Sequence, residues 1–349
     1  MVDNYLAKIW FASLYQIGGK TFKKLLNHTE DFIYFYNHFR EFNFLTKAQI
    51  AEIERTQNIK YLNELNLNMK KYNTDILTYI DKDYPAKLKN IDDPPKSLFI
   101  RGNFSDSKPA VAIIGSRDPT KYGLETAYQL SYKLSKYCTI ISGLAKGIDA
   151  QAHIGALDAG GYTIGIIGCG VDSIYPLVNH NIYSRMYSQG CIISEYSFNT
   201  KPYPWHFPQR NRIISALADL VIVVEAKEKS GTNITVNTAL EQGKDIMAVP
   251  GRINDINSIG CNLLIKDGAF ILSSYKDVLD ILNIKEDIHT KLDNDNSRLI
   301  DFLSSPRSVY EISKYTNLDE GTIIRLLVTL ESKNLIRQAY PGLFVSLSN

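Results

Sequence analysis

Residues 110–115 read AVAIIG, and the same kind of run returns as CTIIS (138–142), TIGIIG (163–168), CIIS (191–194), DLVIVVEA (219–226) and DIMAVP (245–250). Between these runs lie stretches of helical length: TAYQLSYKLSKY (126–137), GIDAQAHIGALDAG (147–160), LVNHNIYSRMYSQ (177–189), QRNRIISALA (209–218) and ITVNTALEQG (234–243). Strands that are apolar throughout have neither face in water, and helices between them supply the cover, so the alternation predicts a mostly parallel sheet clothed on both sides. The fold class expected is therefore α/β, with an extended Rossmann-like core over residues 73–283. Glycine marks the same segment, since 17 of the 21 glycines fall between Gly102 and Gly268.

Outward from this core the pattern changes on both sides. Residues 1–72 carry no strand signal; Leu6, Ile9, Trp10, Leu14 and Ile17 recur at helical spacing and predict a small helical unit whose first two helices meet at Gly18-Gly19. Phe32 to Phe44 holds seven aromatic residues, better read as the packed interior of that unit than as a base-stacking surface. Beyond the core, IKEDIHTKLDNDN from Ile284 reads as a linker, taken as residues 284–296. Residues 297–349 then give three helical stretches, each opened by Ser or Asp, and two short strands about Pro341-Gly342, the make-up of a winged helix. Its third helix balances Asp319, Glu320 and Glu331 against Arg325 and Lys333, which favours protein contact over DNA contact.

Composition narrows the function classes. With 44% hydrophobic and 22% charged residues the chain is of ordinary globular make-up, and a net charge of +2 makes any anion site local rather than global. No run approaches the roughly 18 apolar residues of a membrane span, and the N-terminus lacks the pattern of a signal peptide, so a cytoplasmic protein with no membrane partner is expected. Cys138, Cys169, Cys191 and Cys261 form no C-x-x-C pair and have no histidine at ligand spacing, so no metal site is expected.

In a doubly wound sheet, ligands sit beyond the carboxyl ends of the strands, where helix N-termini present free N–H groups. Four loops fall there. Gly115-Ser116-Arg117 offers close backbone approach, a hydroxyl and a guanidinium fork. Ser142 to Asp149 (SGLAKGID) brings Lys146, with Asp149 and His153 one helical turn apart; that pair is read as orienting or capping the loop rather than as an acid and base. Phe207 to Arg212 (FPQRNR) starts a helix with Arg210, Asn211 and Arg212, preceded by Lys201, Tyr203, Trp205 and His206, a mixture of charge and rings suited to a flexible strand. Lys227 to Thr232 (KEKSGT) adds Ser230 and Gly231. Arg117, Lys146, Lys201, Arg210 and Arg212 are expected at one crevice.

These segments, in this order, resemble the DNA-processing protein family called DprA or Smf, which acts in bacterial natural transformation. The resemblance is carried by Tyr84-Pro85, SGLAKGIDAQAH (142–153), GCGVDSIYP (168–176), ISE (193–195), FPQRNRII (207–214), VVEAKEKSG (223–231), AVPG (248–251) and GCNLLIKDGA (260–269). It implies a SAM-like N-terminal domain, a Rossmann-like core and a C-terminal winged helix. It also implies a homodimer that binds and protects single-stranded DNA and helps load RecA in place of single-strand-binding protein. Carried onto this chain, the DNA pocket uses Gly115, Ser116, Arg117, Lys146, Lys201, Arg210, Asn211, Arg212, Ser230 and Gly231, with dimer contacts around Asn262, Ile265 and Ile271. Two departures stand out: Lys146 occupies a position where the family commonly has arginine, and Asn233 one where it commonly has a hydrophobic residue.

Enzyme readings lose support on the same loops. The first βα turn lacks G-x-G-x-x-G, and no G-x-x-x-x-G-K-[ST] is present, so neither a dinucleotide nor a triphosphate cofactor is indicated. The nearest rival is a nucleotide phosphoribohydrolase, whose loop carries a catalytic glutamate. Here Thr235 occupies that position. No catalytic residue and no cofactor are expected.

Overall fold

The computed structural model describes residues 2–285 and 299–347. The chain divides into two compact units, Met1–Asn283 and Ile284–Asn349. The first takes in both the expected helical segment 1–72 and the α/β core. Most of the expected linker lies outside the described residues, as does Ser297, the expected cap of the first winged-helix helix.

Five helices open the chain: α1 (Asn4–Ser13), α2 (Gly19–Leu26), α3 (Phe32–His38), α4 (Lys47–Thr56) and α5 (Ile59–Lys71). Their starts are set by local side chains that accept the otherwise unpaired first-turn N–H groups: Asp3 for α1, Asp31 for α3, Asn58 for α5, and a Thr46/Gln49 capping box for α4. Phe32, Phe35, Tyr36, Phe39 and Phe42 are all buried, and Phe35 packs edge-on to Phe11, so five of the seven aromatics are interior as expected, while Tyr34 is exposed and Phe44 partly buried.

The sheet follows: β1 (Thr74–Thr78), α6 (Ala86–Lys89), β2 (Ser97–Gly102), β3 (Ala110–Gly115), α7 (Lys121–Leu134), β4 (Thr139–Ser142), α8 (Ile148–Asp158), β5 (Thr163–Ile167), α9 (His180–Gln189) and β6 (Gly190–Ser194). Then come α10 (His206–Leu217), β7 (Leu220–Val224), α11 (Thr232–Glu241), β8 (Asp245–Ala248), α12 (Ile259–Lys266), β9 (Phe270–Ile271) and α13 (Tyr275–Ile281). Nine strands lie in the order β1-β2-β6-β5-β4-β3-β7-β8-β9. β3 to β9 run parallel; β1 and β2 add an antiparallel edge, β2 pairing with β6 through Phe99 and Ser194.

Every residue of β4, β5, β6 and β7 is buried, which is why those strands read as unbroken apolar runs. Successive residues still turn to opposite faces. Phe99, Ile167 and Ile192 join the core shared with Trp10, Phe11 and Leu62, whereas Leu98, Ile100, Ile166 and Ile193 join the core shared with Ile213, Leu217 and Val236. From β3 the chain steps one way through β4 and β5, then returns to place β7 on β3's other side. The switch point lies between β3 and β7, and the crevice beyond their carboxyl ends is where such sheets bind ligands.

The second unit has helices Val309–Thr316 and Glu320–Ser332, capped by Ser308 and Asp319, and a sheet ordered β10 (Arg307–Ser308), β12 (Leu343–Ser346), β11 (Ile336–Tyr340). Its core gathers Leu299, Leu303, Ile312, Ile323, Leu327 and Leu330.

Candidate functional site

A cavity of about 280 Å³ opens at the switch point, lined by Gly115 to Asp118 at the end of β3, Ala145 and Asp149 around the start of α8, Phe207, Pro208, Arg210 and Asn211 at the start of α10, and Lys227 with Ser230 to Thr232 after β7. α8, α10 and α11 all begin without a side-chain cap on their first-turn N–H groups, and all three contribute lining residues. Three helix N-termini directed at one cavity give it the partial positive charge that favours an anion.

The loops are held by their own hydrogen bonds. Ser116 N–H donates to the Glu225 carbonyl (2.9 Å), and Ile148 N–H donates to the Ser116 carbonyl (3.1 Å), tying the β3, β7 and α8 loops together. The Glu225 carboxylate, buried at 3% exposure, accepts from Thr120 N–H (2.9 Å) and from the Thr120 hydroxyl. It is therefore committed to the start of α7 rather than to the cavity. Asn233 donates to the Glu228 carbonyl (2.7 Å), so a polar residue at this departure from the family pattern braces the 228–233 loop.

Arg210 is the central cation, and it is almost fully buried (4% exposed). Its Nη1 donates to the carbonyls of Gly143 (2.6 Å) and Ile166, and its Nε donates to Asn211 Oδ1 (3.1 Å). Gly143 is required there, because a Cβ at residue 143 would lie 2.5 Å from Arg210 Nη1. Asp149 accepts from Gly143 N–H (3.2 Å) and Ala145 N–H (3.4 Å). Burial pushes its carboxyl pKa up, and the Arg210 charge works against that shift. His153 bonds Thr163 Oγ1 through Nδ1 (2.7 Å), and burial holds it neutral, its pKa brought down to about 3. Asp149 and His153 thus shape the interior, in line with the structural reading of the pair.

Arg117, by contrast, is exposed at the cavity wall, with its guanidinium 5.9 Å from the Phe207 ring centre. Of the sequence-derived candidates, Gly115, Ser116, Arg117, Arg210, Asn211, Ser230 and Gly231 line the cavity. Lys146, Lys201 and Arg212 do not, so the five cations expected at one crevice are not brought together.

The reasons are physical. Arg210 and Arg212 stand two apart on a helix and so cannot share a face. Arg212 instead pairs with Glu195 (2.7 and 2.8 Å) and Asp93 (3.3 Å) beside a second cleft, under the 12–19 segment. Arg212 thus forms an internal salt bridge rather than a wall of the cavity. Lys146 is exposed in a loop pinned by Asn179 Nδ2 on the Leu144 (2.8 Å) and Ala145 (3.2 Å) carbonyls, followed by Gly147 at φ 81°. Lys201 is exposed in the segment before α10.

Among the dimer candidates, Asn262 exchanges hydrogen bonds with Gly251 N–H (3.2 Å) and its carbonyl (3.1 Å), and Ile265 packs partly into the core. Ile271 is 55% exposed, beside Phe270 at 47%, on the last strand of the sheet. Lys227, Thr232 and Thr235 complete the cavity wall, and Thr235, at the rival enzyme's carboxylate position, is buried.

Residues 75–283, more than half of the chain, match the family model of DNA recombination-mediator protein A. The chain belongs to this family. It is 44% identical over 201 residues to the DNA processing protein DprA of Streptococcus pneumoniae, covering 57% of this chain and 71% of that protein. It is 43% identical over 204 residues to the Bacillus subtilis protein of the same name, covering 58% and 69%. The X-ray structure of the Streptococcus pneumoniae protein superposes with a TM-score of 0.63 at 35% identity, over 80% of this chain and 98% of that one. A structure of DNA processing protein A from Helicobacter pylori, described for its single-stranded DNA binding mode, superposes with a TM-score of 0.55 at 32% identity, over 61% and 96%. Among the described residues, no helix is long and apolar enough to cross a membrane, and no cluster of His, Cys, Asp and Glu has the make-up of a metal site.

Proposed function

We propose that the switch-point cavity holds phosphates of single-stranded DNA and breaks no bond in it. The observation that carries this reading is the exposed Arg117 set beside three helix N-termini that have no side-chain cap. Arg117 supplies the charge-assisted fork, while Ser116, Ser230, Gly231 and Asn211 supply hydroxyl, backbone and amide groups around it. Arg210 acts from behind, fixing the Gly143 loop and adding positive field. Lys146 and Lys201, exposed outside the cavity, serve as more distant phosphate contacts along the strand, and Arg212 orients α10 through Glu195.

Family membership and the Helicobacter pylori relative support single-stranded DNA as the form bound. In this reading the protein is a cytoplasmic recombination mediator. It covers incoming strands and hands them to RecA where single-strand-binding protein would otherwise sit. It works as a homodimer through the strand edge at Phe270 and Ile271, with Asn262 and Ile265 supporting that edge from within. The two buried acids near the cavity are engaged by backbone and hydroxyl donors, which supports binding over hydrolysis.

The test is a titration of the full chain with labelled single-stranded DNA, duplex DNA and RNA over a range of salt. Single-stranded DNA should bind best, and Arg117→Ala should weaken it and reduce the salt slope by roughly 0.7, the value for one phosphate contact on a single strand. Unchanged affinity and slope in the variant would remove Arg117 from the site.

A further inference from the structure

Tyr203 and Trp205 form a stacked pair, ring centres 4.7 Å apart and planes inclined by 5°, and both are exposed, at 43% and 54%. Large rings left in water forgo the stabilisation of burial, and solvent-facing ones are usually mobile. These are held. Pro202 and Pro204 flank Tyr203 and restrict the backbone, Tyr203 N–H donates to the Lys201 carbonyl (2.9 Å), and His206 N–H donates to the Tyr203 carbonyl (3.0 Å). At the base of the segment Asn199 N–H is held by the Asp172 carboxylate (3.0 and 3.1 Å), and Gly170 N–H donates to the Thr200 carbonyl (3.0 Å). His206, buried at the turn into α10, packs edge-on to both rings.

The pair immediately precedes the cavity-lining start of α10 in the chain, and on its inner side His206 stacks on Tyr196 of the second cleft. Trp205 is the residue before α10, and Phe207, two positions on, lines the cavity under Arg117. Consecutive Cα atoms are about 3.8 Å apart, so Trp205 lies within roughly 7.6 Å of that wall, backbone to backbone. Tyr175, 46% exposed, lies beside Phe207 from another loop, ring centres 5.4 Å apart. Exposed Lys201 borders the rings. Positive charge and open, fixed aromatic faces beside an anion cavity match the chemistry of an unpaired nucleotide, which has a phosphate at one end and a π-face at the other.

We propose that Tyr203 and Trp205 are a stacking platform for unpaired bases of the strand whose phosphates occupy the Arg117 cavity. The proposal rests on the single-strand reading above and names the surface that meets the bases. The facing sides of the two rings already cover each other, so the base stacks on an outer face of the pair. Because every base has a π-face, the platform favours unpaired over paired strands without reading sequence.

The test compares a dT oligonucleotide with an abasic oligonucleotide of equal length and charge, each titrated into the full chain at one ionic strength. Binding is followed by anisotropy and by tryptophan emission. The chain has two tryptophans and Trp10 is fully buried, so a change in emission reports Trp205.

The expected results are quenching by dT but not by the abasic strand, and dT affinity about 5- to 150-fold above abasic affinity, the span of one stacked base. In Tyr203→Ala/Trp205→Ala, dT affinity should fall to the abasic level while abasic binding is unchanged; Trp205→Phe should keep most of the preference. Equal affinity for the two strands in the wild type, or dT binding unchanged in the double variant, would overturn the platform. Binding of dT that depends on Arg117 but leaves tryptophan emission unaltered would overturn it while sparing the phosphate site. Binding of neither strand would remove the single-strand reading, and the platform with it.

Discussion

Replacing Arg210 by methionine separates its structural work from any contact with DNA. Methionine keeps most of the volume of a side chain that is 4% exposed, so the loss is chiefly electrostatic. The Gly143 and Ile166 carbonyls lose their donor, and Asp149, 8% exposed, loses the positive charge that opposes its desolvation. An unpaired buried carbonyl costs about 1–3 kcal/mol and two lose their donor here, while Asp149 loses a neighbouring positive charge. These overlap, so Arg210→Met should destabilise the 1–283 unit by about 3–5 kcal/mol at neutral pH. Burial already raises the folded-state pKa of Asp149, and losing Arg210 raises it further. A raised carboxyl pKa favours the protonated fold, so the Asp149 part of the deficit is full above the variant's folded pKa and gone below the wild type's. Urea unfolding followed by tryptophan emission at pH 7.5 and pH 5 measures both. A deficit under about 1 kcal/mol at pH 7.5 would refute the account of Arg210 as a buried clamp. If the account holds, lost DNA binding in an Arg210 variant is a folding effect, and Arg117 is the cleaner probe of phosphate contact.

Gly143→Ala should push the Arg210 guanidinium off its carbonyl and cost about 1–3 kcal/mol by overpacking; a variant as stable as wild type in urea would show that the loop gives way freely. Lys96 is fully buried beside the Leu14 carbonyl, and its amine pKa is held down to about 8 by burial, below the unfolded value near 10.4. Stability from this group is therefore lost as pH falls through 8, and wild type should gain on Lys96→Met by up to roughly 3 kcal/mol between pH 8 and 10, a difference that denaturation at the two pH values detects. Ile271→Asp with Phe270→Asp should shift the proposed homodimer to monomer in sedimentation without lowering the unfolding midpoint of the monomer, since both residues are exposed in the single chain.

The parallel strands β3 to β8 were legible because buried residues leave Val and Ile runs, and the loops after them because such sheets bind at strand ends, whereas β9, with both residues exposed, was not. β1 and β2 were not recognised, although LFI in Ser97–Gly102 is a short apolar run after two prolines. Their strand character rests on antiparallel pairing with each other and with β6, a tertiary fact. The separation of Arg210 from Arg212 was legible in principle: once FPQRNR is placed on a helix, spacing by two sends them to different sides. The partners of Arg212 were not, since Asp93 and Glu195 come from distant segments. The role of Glu225 was hidden likewise, as nothing local to residues 223–226 points to Thr120.

Holding a phosphate and cleaving a bond to it make opposite demands on nearby carboxylates. A general base needs a free lone pair within reach of a proton, whereas a phosphate site needs its acids remote or neutralised. Asp118 lines this cavity as an exposed carboxylate, but the two buried acids nearby are committed: Asp149 is turned onto two backbone N–H groups, and Glu225 onto Thr120 at the head of α7. Each fixes a loop whose backbone then faces the cavity. The acids thus serve the binding reading indirectly, by fixing in advance the N–H groups a strand would meet, so that little ordering remains to be done when it arrives.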